Sequence, residues 1–157
     1  ETEVLKIKWQ FVSGVIPYIE YRGDEPWNAS SFDVLSFRAA WTDWVDEDGD
    51  IALSCEADAY LDLQWFVVEI ESNGCSRAVD VGKYGGVPQR YPNWVRIHQS
   101  HDQHDVYNIM NTVRVPLASF VMSGDSCVEL SHVDAVRIYF NFPQNGEIFL
   151  DDLEFSK

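Results

Sequence analysis

An acidic stretch between residues 43 and 62 has the composition of a cation-binding loop. It contains eight carboxylates and neither lysine nor arginine. In its D-E-D-G-D segment, alternate carboxylates can converge on a calcium ion while glycine permits a sharp turn. The distal glutamate spacing and flanking helical patterns of an EF-hand are missing, which excludes that motif. The stretch predicts calcium binding through Asp46, Asp48 and Asp50, with a solvated acidic loop as the alternative.

A second group of residues has the chemistry needed to hold a sugar. Tryptophan and tyrosine rings stack on the C–H faces of pyranose rings, while carboxylate, amide and guanidinium groups bond the hydroxyls. Such residues gather in two stretches, at 41–60 and 84–96. The alternative is that these rings are small satellite cores that pin long loops. The candidates for carbohydrate binding are Trp41, Trp44, Tyr60, Tyr84, Arg90, Tyr91 and Trp94.

Catalytic signatures are absent from the sequence. It has no G-x-S-x-G elbow, no H-E-x-x-H pair and no glycine-rich phosphate loop. His98, His101 and His104 are spaced by three, but their context lacks helical periodicity, so we interpret them as a polar loop rather than a zinc site. Carboxylate pairs are plentiful and leave a small glycan-active hydrolase or lyase as an alternative. The prediction is a protein that is not an enzyme.

The elements that would position these residues are β-strands. Apolar and polar residues alternate in short runs, which is typical of half-buried strands. An Asn73-Gly74 pair predicts a tight hairpin, and Pro116–Phe120 predicts one helical turn. Strands at this spacing predict an all-β, antiparallel β-sandwich. The predicted strands are Val4–Phe11, Val34–Trp41, Leu61–Ile70, Ala78–Val81, Val106–Val115, Ala135–Phe142 and Ile148–Phe155.

Two long connections, at about 42–60 and 83–104, interrupt this rhythm. Connections of that length are usually functional or disordered. Because successive strands reverse direction, both connections and the turn at 143–146 should lie at one end of the sandwich. The hairpin at Gly74 should then lie at the opposite end.

The same argument sorts the three cysteines. Cys75 and Cys127 should lie at the end that carries the hairpin, whereas Cys55 lies in a long connection. A disulfide requires Cα atoms within about 7 Å of each other. If a bridge forms, we expect Cys75–Cys127; three unpaired thiols are the alternative.

Length and charge limit the class of protein. The chain has 157 residues, 11 basic and 26 acidic, so its net charge is 11 − 26 = −15. No apolar run approaches the ~18 residues that span a bilayer, and the negative charge opposes binding to nucleic acid. We expect no nucleic-acid partner, no membrane insertion and a monomer. The start at Glu1, without methionine or a leader-like segment, suggests one domain (1–157) of a larger exported protein.

The last third of the chain carries a recognisable pattern. V-R-V-P-L-A-S-F within Thr112–Phe120 precedes Val133–Phe142, and G-E-I-F-L-D-D-L-E-F closes the pattern at Gly146–Phe155. Together with L-S-F-R at 35–38 and the hairpin at 64–74, this resembles the galactose-binding-like jelly rolls found as carbohydrate-binding modules in secreted bacterial enzymes. The resemblance covers about residues 31–157.

The resemblance implies a jelly-roll fold and a non-catalytic module that binds polysaccharide and targets an attached enzyme, in a secreted protein. The glycan site can then lie in the loops or on a sheet face. The resemblance also implies a structural calcium ion bound by Asp151, with Glu3, Asp24, Glu25 and Asp33 as further candidate ligands. A structural or protein-interaction domain is the alternative, because this fold serves many functions.

Overall fold

The computed structural model describes residues 4–10, 14–41, 66–84, 111–121, 127–140 and 145–157. Within them, two antiparallel four-stranded sheets form a β-sandwich, so the predicted fold class is confirmed. A 3₁₀ turn covers Val81–Tyr84, and the short helix α1 covers Ala118–Val121. The strands are β1 Leu5–Gln10, β2 Tyr18–Trp27, β3 Val34–Trp41, β4 Phe66–Ser72, β5 Cys75–Asp80, β6 Asn111–Pro116, β7 Val133–Phe140 and β8 Asn145–Ser156.

The strand order is that of a jelly roll. Sheet I has the order β1-β8-β3-β6, and sheet II has the order β2-β7-β4-β5. Among the described strands, consecutive strands lie in different sheets, except β4 and β5, which a tight turn joins within sheet II. That turn has positive φ at Asn73 (52°) and Gly74 (76°), as the sequence predicts for a two-residue hairpin.

Aromatic rings from both sheets form the core between them. Phe140 of sheet II stacks on Trp9 of sheet I with ring centroids 4.7 Å apart, and meets Phe66 edge-on at 5.4 Å. Phe37 and Phe120 are also buried. Trp9 and Phe140 are therefore core residues. Burying rings of this size supplies about 1.5–3 kcal/mol each.

The strand register brings the strand ends that flank the long connections to the same end of the sandwich. In sheet I, Gln10 pairs with Asn145 and Trp41 with Ile148. The stacking of Trp9 on Phe140 puts the corresponding ends of sheet II at the same level. We call this the rim end. The strand ends that border residues 42–65 and 85–110 lie at this rim end, as the direction of the strands predicts.

Strand β2 is an edge strand that the alternation pattern did not reveal. Its central residues, from Gly23 to Pro26, are of types that usually form turns. The pairing with β7 shifts register between Arg22 and Trp27, so these residues form a bulge. A Cβ on Gly23 would lie 2.8 Å from the carbonyl oxygen of Glu25, which explains the glycine.

A disulfide fixes the end opposite the rim. Cys75 at the start of β5 is bonded to Cys127, with Cα atoms 5.9 Å apart, so the predicted pairing is confirmed. Nearby, the Ser72 hydroxyl donates to the Glu129 carbonyl and accepts from the Glu129 N–H. Of the helices that the structure describes, none has the length and apolar character to cross a membrane.

Candidate functional site on the outer face of sheet II

The outward side chains of sheet II form the candidate site. Val68, Ile70, Val136 and Ile138 point into the core, so the alternate residues of β4 and β7 point away from it. Three rows of register partners cross this outer face. The first row is Tyr18, Tyr139, Val67 and Asp80; the second is Glu20, Arg137, Glu69 and Ala78; the third is Arg22, Ala135, Glu71 and Ser76.

Two tyrosines begin the face at the rim end. Tyr18 and Tyr139 are register partners on β2 and β7, and their ring centroids lie 5.1 Å apart at an angle of 39°. Tyr18 is 52% exposed, an unusually high fraction for a large aromatic residue in a strand. Two adjoining rings with an open surface can stack against the apolar face of a flat ligand.

Arg137 lies at the centre of the face and contacts three carboxylates. Its Nε donates to Glu20 at 2.6 Å, its Nη1 donates to Glu69 at 2.7 Å, and its Nη2 donates to Glu71. The three acceptors come from β2 and β4, on either side of β7. Charge-assisted hydrogen bonds of this kind are about twice as strong as neutral ones, so the network holds these side chains in place.

Arg22 extends the network across a full strand. Its Nε donates to Glu20 at 3.0 Å, and its Nη2 donates to Glu71 at 3.2 Å. Ala135 is the register partner of both Arg22 and Glu71, so this ion pair passes over Ala135. Ala135 is accordingly 0% exposed although it points away from the core.

Glu69 connects the charged rows to the tyrosine pair. Besides the bond from Arg137, its carboxylate accepts from the Tyr139 hydroxyl at 3.2 Å and from the Ser76 hydroxyl at 3.2 Å. Tyr139 is thus fixed by ring contact on one side and by a hydrogen bond on the other. The aromatic and acidic parts of the face form one connected unit.

The protonation states of the network follow from these contacts. Hydrogen bonds from Arg22 and Arg137 lower the pKa of Glu20 from 4.5 to about 2. Burial alone would lower the pKa of Arg137, but its bonds to Glu69, Glu20 and Glu71 raise it above the ordinary value. Burial and the charge of Glu69 raise the pKa of Tyr139. At neutral pH the face therefore presents an ionised Glu20, a cationic Arg137 and a neutral Tyr139 phenol.

The sequence marks these residues as outward-facing but does not bring them together. Tyr139, Arg137 and Glu69 alternate with apolar residues within the predicted strands. Their contact with Glu20 depends on the pairing of β2 with β7, and β2 was not predicted. A sheet-face site remained an alternative in the sequence, but none of these outward residues was a candidate for it.

The predicted rim residues fall mostly outside the described part of the chain. The predicted rim residues outside the described ranges are Trp44, Tyr60, Arg90, Tyr91 and Trp94. Their role in carbohydrate binding stays a prediction. Trp41 is the last residue of β3, where its backbone pairs with Ile148. Tyr84 is half-buried, packs against the core and forms a 2.6 Å hydrogen bond with the Ser119 hydroxyl. These contacts give Tyr84 a packing function that the sequence also allowed.

The predicted calcium ligands are not assembled by the described residues. Asp151 accepts from the N–H of Asp152 at 2.9 Å, and its carboxylate lies 3.8 Å from Nη1 of Arg38. Calcium requires six to eight oxygen ligands, and a neighbouring guanidinium opposes it. No group of three or more metal-ligating residues occurs in the described ranges. Asp46, Asp48 and Asp50 lie outside those ranges, so calcium stays a prediction.

Comparisons with known proteins give one distant likeness. No family model matches the chain, and no curated protein matches it. Among solved structures, the chain is similar to a family 11 carbohydrate-binding module from Clostridium thermocellum in complex with a β-1,3-1,4-mixed-linked tetrasaccharide. The identity is 12% and the TM-score 0.41, over 98% of this chain and 82% of that chain. Such a likeness assigns neither a family nor a ligand.

Proposed function

We propose that this protein is a non-catalytic carbohydrate-binding module whose glycan lies on the outer face of sheet II. The observation that carries the proposal is the contact of the exposed Tyr18 with the half-buried Tyr139, beside a fixed carboxylate–guanidinium network. Sugar rings stack on the tyrosines, and sugar hydroxyls donate to the carboxylates of Glu20 and Glu69. Because the network is already ordered, little side-chain entropy is lost on binding.

The charge state of Glu20 suits a hydrogen-bond acceptor and not the general acid of a glycosidase. Glycosidases need one carboxylic acid that is protonated near neutral pH to donate to the leaving group. With a pKa of about 2, Glu20 stays ionised and cannot donate that proton. Its oxygen atoms can still accept hydrogen bonds from sugar hydroxyls.

The wider setting of the module is part of the same proposal. The Cys75–Cys127 bridge supports an exported protein, because disulfides persist in oxidising compartments. In that setting the module would keep an attached enzyme close to polysaccharide and so raise its effective concentration. Trp44 and Trp94, predicted from the sequence to bind the glycan, stay part of this proposal.

Affinity electrophoresis on a panel of polysaccharides tests this function. We expect at least one glycan to retard the protein, and Tyr18→Ala to weaken that interaction about tenfold through the lost stacking. Phe149→Ala, at an outward aromatic position of sheet I, is the matched control and should leave retardation unchanged. Circular dichroism verifies that each variant is folded.

The other outcomes separate the remaining functions. If no glycan retards the protein and a protein partner is captured instead, the module is an interaction domain. The exposed Val15 (62%) and Ile16 (47%), next to Tyr18, are the residues to substitute in that case. Release of soluble sugar by the isolated protein would identify a hydrolase or lyase.

A further inference from the structure

The charges on the outer face of sheet II discriminate between classes of glycan. We propose, on the basis of the proposed function, that this face binds uncharged glycans and excludes those that carry carboxylates, such as polyuronates. The side chains that determine this specificity are Arg137 and the three glutamates around it, Glu20, Glu69 and Glu71.

Each nitrogen of the Arg137 guanidinium already donates to a glutamate, which leaves one further N–H on Nη1 and one on Nη2. Recognition of a carboxylate by arginine normally uses two parallel N–H donors of one fork. In Arg137, each of Nε, Nη1 and Nη2 already donates to a different glutamate. A uronate would therefore have to approach Arg137 beside these carboxylates, which repel it, or displace one of them and leave it without its counter-ion.

The formal charge of the face opposes an anionic ligand. The outward positions of the three rows contain four carboxylates, of Glu20, Glu69, Glu71 and Asp80, and two guanidinium groups, of Arg22 and Arg137. Their sum is 2 − 4 = −2. The whole chain adds to the repulsion, since its net charge is −15. This repulsion acts over about 8–10 Å at moderate salt, which includes a polymer lying on the sheet.

Neutral hydroxyl groups fit the same atoms well. A carboxylate has about four lone-pair sites over its two oxygen atoms and accepts from O–H donors without displacing the arginine. Glu69 Oε2 accepts from the Ser76 hydroxyl at 3.2 Å, so the network already accommodates a neutral hydroxyl donor. A glycan hydroxyl can bind in the same manner, whereas a ligand carboxylate brings acceptors alone.

Pairs of polymers with the same backbone test the inference. The probes are hydroxyethylcellulose against carboxymethylcellulose, and methyl-esterified against de-esterified homogalacturonan, each cast into native gels at low ionic strength. In every pair that retards the protein, we expect binding to the neutral member to be at least threefold tighter. The affinity for the neutral member divided by the affinity for the acidic member is the selectivity ratio. We also expect added salt to reduce this ratio, because screening weakens the repulsion of the acidic polymer.

A charge-neutralising variant tests whether the network around Arg137 causes the preference for the neutral polymer. Glu71→Gln removes one carboxylate that accepts from Arg137, so the preference for the neutral member should shrink. Glu129→Gln, at an exposed position outside the three rows, removes the same charge elsewhere and is the control. If Glu71→Gln fails to fold, the salt dependence of the preference in the unmodified protein tests the inference instead.

The outcomes distinguish this inference from the proposed function. A ratio below three, or tighter binding of the acidic member, overturns the selectivity while glycan binding stands. A selectivity ratio that salt leaves unchanged also overturns the selectivity, because electrostatic repulsion must weaken as salt is added. If no neutral or acidic probe, and no glycan of the wider panel, retards the protein, the proposed function itself fails.

Discussion

Arg22 Nη2 lies 3.2 Å from Glu71 Oε2 although their strands, β2 and β4, are not neighbours. Strand β7 separates them, a span of about 10 Å between backbones. The ion pair can cross that span because their shared register partner is Ala135, whose methyl group leaves room above the sheet. The relationship explains a fully buried alanine on an outer face.

Enlarging Ala135 should therefore disrupt the network. We expect Ala135→Leu to lower the free energy of unfolding by about 1–3 kcal/mol, as overpacking does in well-packed sites. Ala78→Leu, at an exposed position of the same face, should change it by less than about 0.5 kcal/mol. Urea denaturation of both variants measures the difference. Equal stability of the two would show that the ion pair does not cover Ala135.

The lowered pKa of Glu20 predicts how stability depends on pH. A carboxyl group whose folded pKa lies below its unfolded value stabilises the fold above the unfolded pKa, and this contribution is lost as pH falls through the folded pKa. For Glu20 that window runs from pH 4.5 down to about 2. We expect the stability difference between the unmodified protein and Glu20→Gln to be largest near neutral pH and to vanish below about pH 2. Thermal melts of both proteins across pH 2–7 measure it, and a difference that does not change over this window contradicts the assignment.

The Cys75–Cys127 bridge should stabilise the fold strongly. It joins residues 52 apart, for which loop-closure entropy predicts about 4 kcal/mol. We expect the Cys75→Ser/Cys127→Ser variant to unfold at much lower denaturant concentration, and Cys55→Ser to behave as the unmodified protein. Thiol titration of the unfolded, unreduced protein should find one free thiol. Three free thiols would refute the bridge.

Calcium remains a prediction of the acidic segment at 43–62. If Asp48 and its neighbours bind the ion, calcium at 100 times its Kd stabilises the fold by about 2.7 kcal/mol, and a chelator lowers the melting temperature. Asp48→Asn should remove most of the chelator effect, whereas Glu129→Gln, at an exposed position that is not a candidate ligand, should not. An unchanged melting temperature on addition of chelator would exclude a structural calcium ion.

The sequence predicted strands well where alternation was regular, as in β3, which matches the predicted Val34–Trp41. It failed at β2 because Gly23 and Pro26, which are typical of turns, lie here in a bulge. The disulfide was predictable because strand direction alone assigns each cysteine to an end. The outer-face site was not predictable, because Arg137 and Glu20 are 117 residues apart in the sequence. The pairing of β2 with β7 brings them into contact.

The central claim is that a glycan lies on the outer face of sheet II. Its most direct test is a two-dimensional NMR titration of the isotopically labelled protein with a neutral oligosaccharide chosen from the electrophoresis panel. The account predicts saturable shifts that are largest for the amides of Tyr18, Tyr139 and Glu69, with β1 and β6 unaffected. Saturable binding that leaves those three amides unmoved would contradict it.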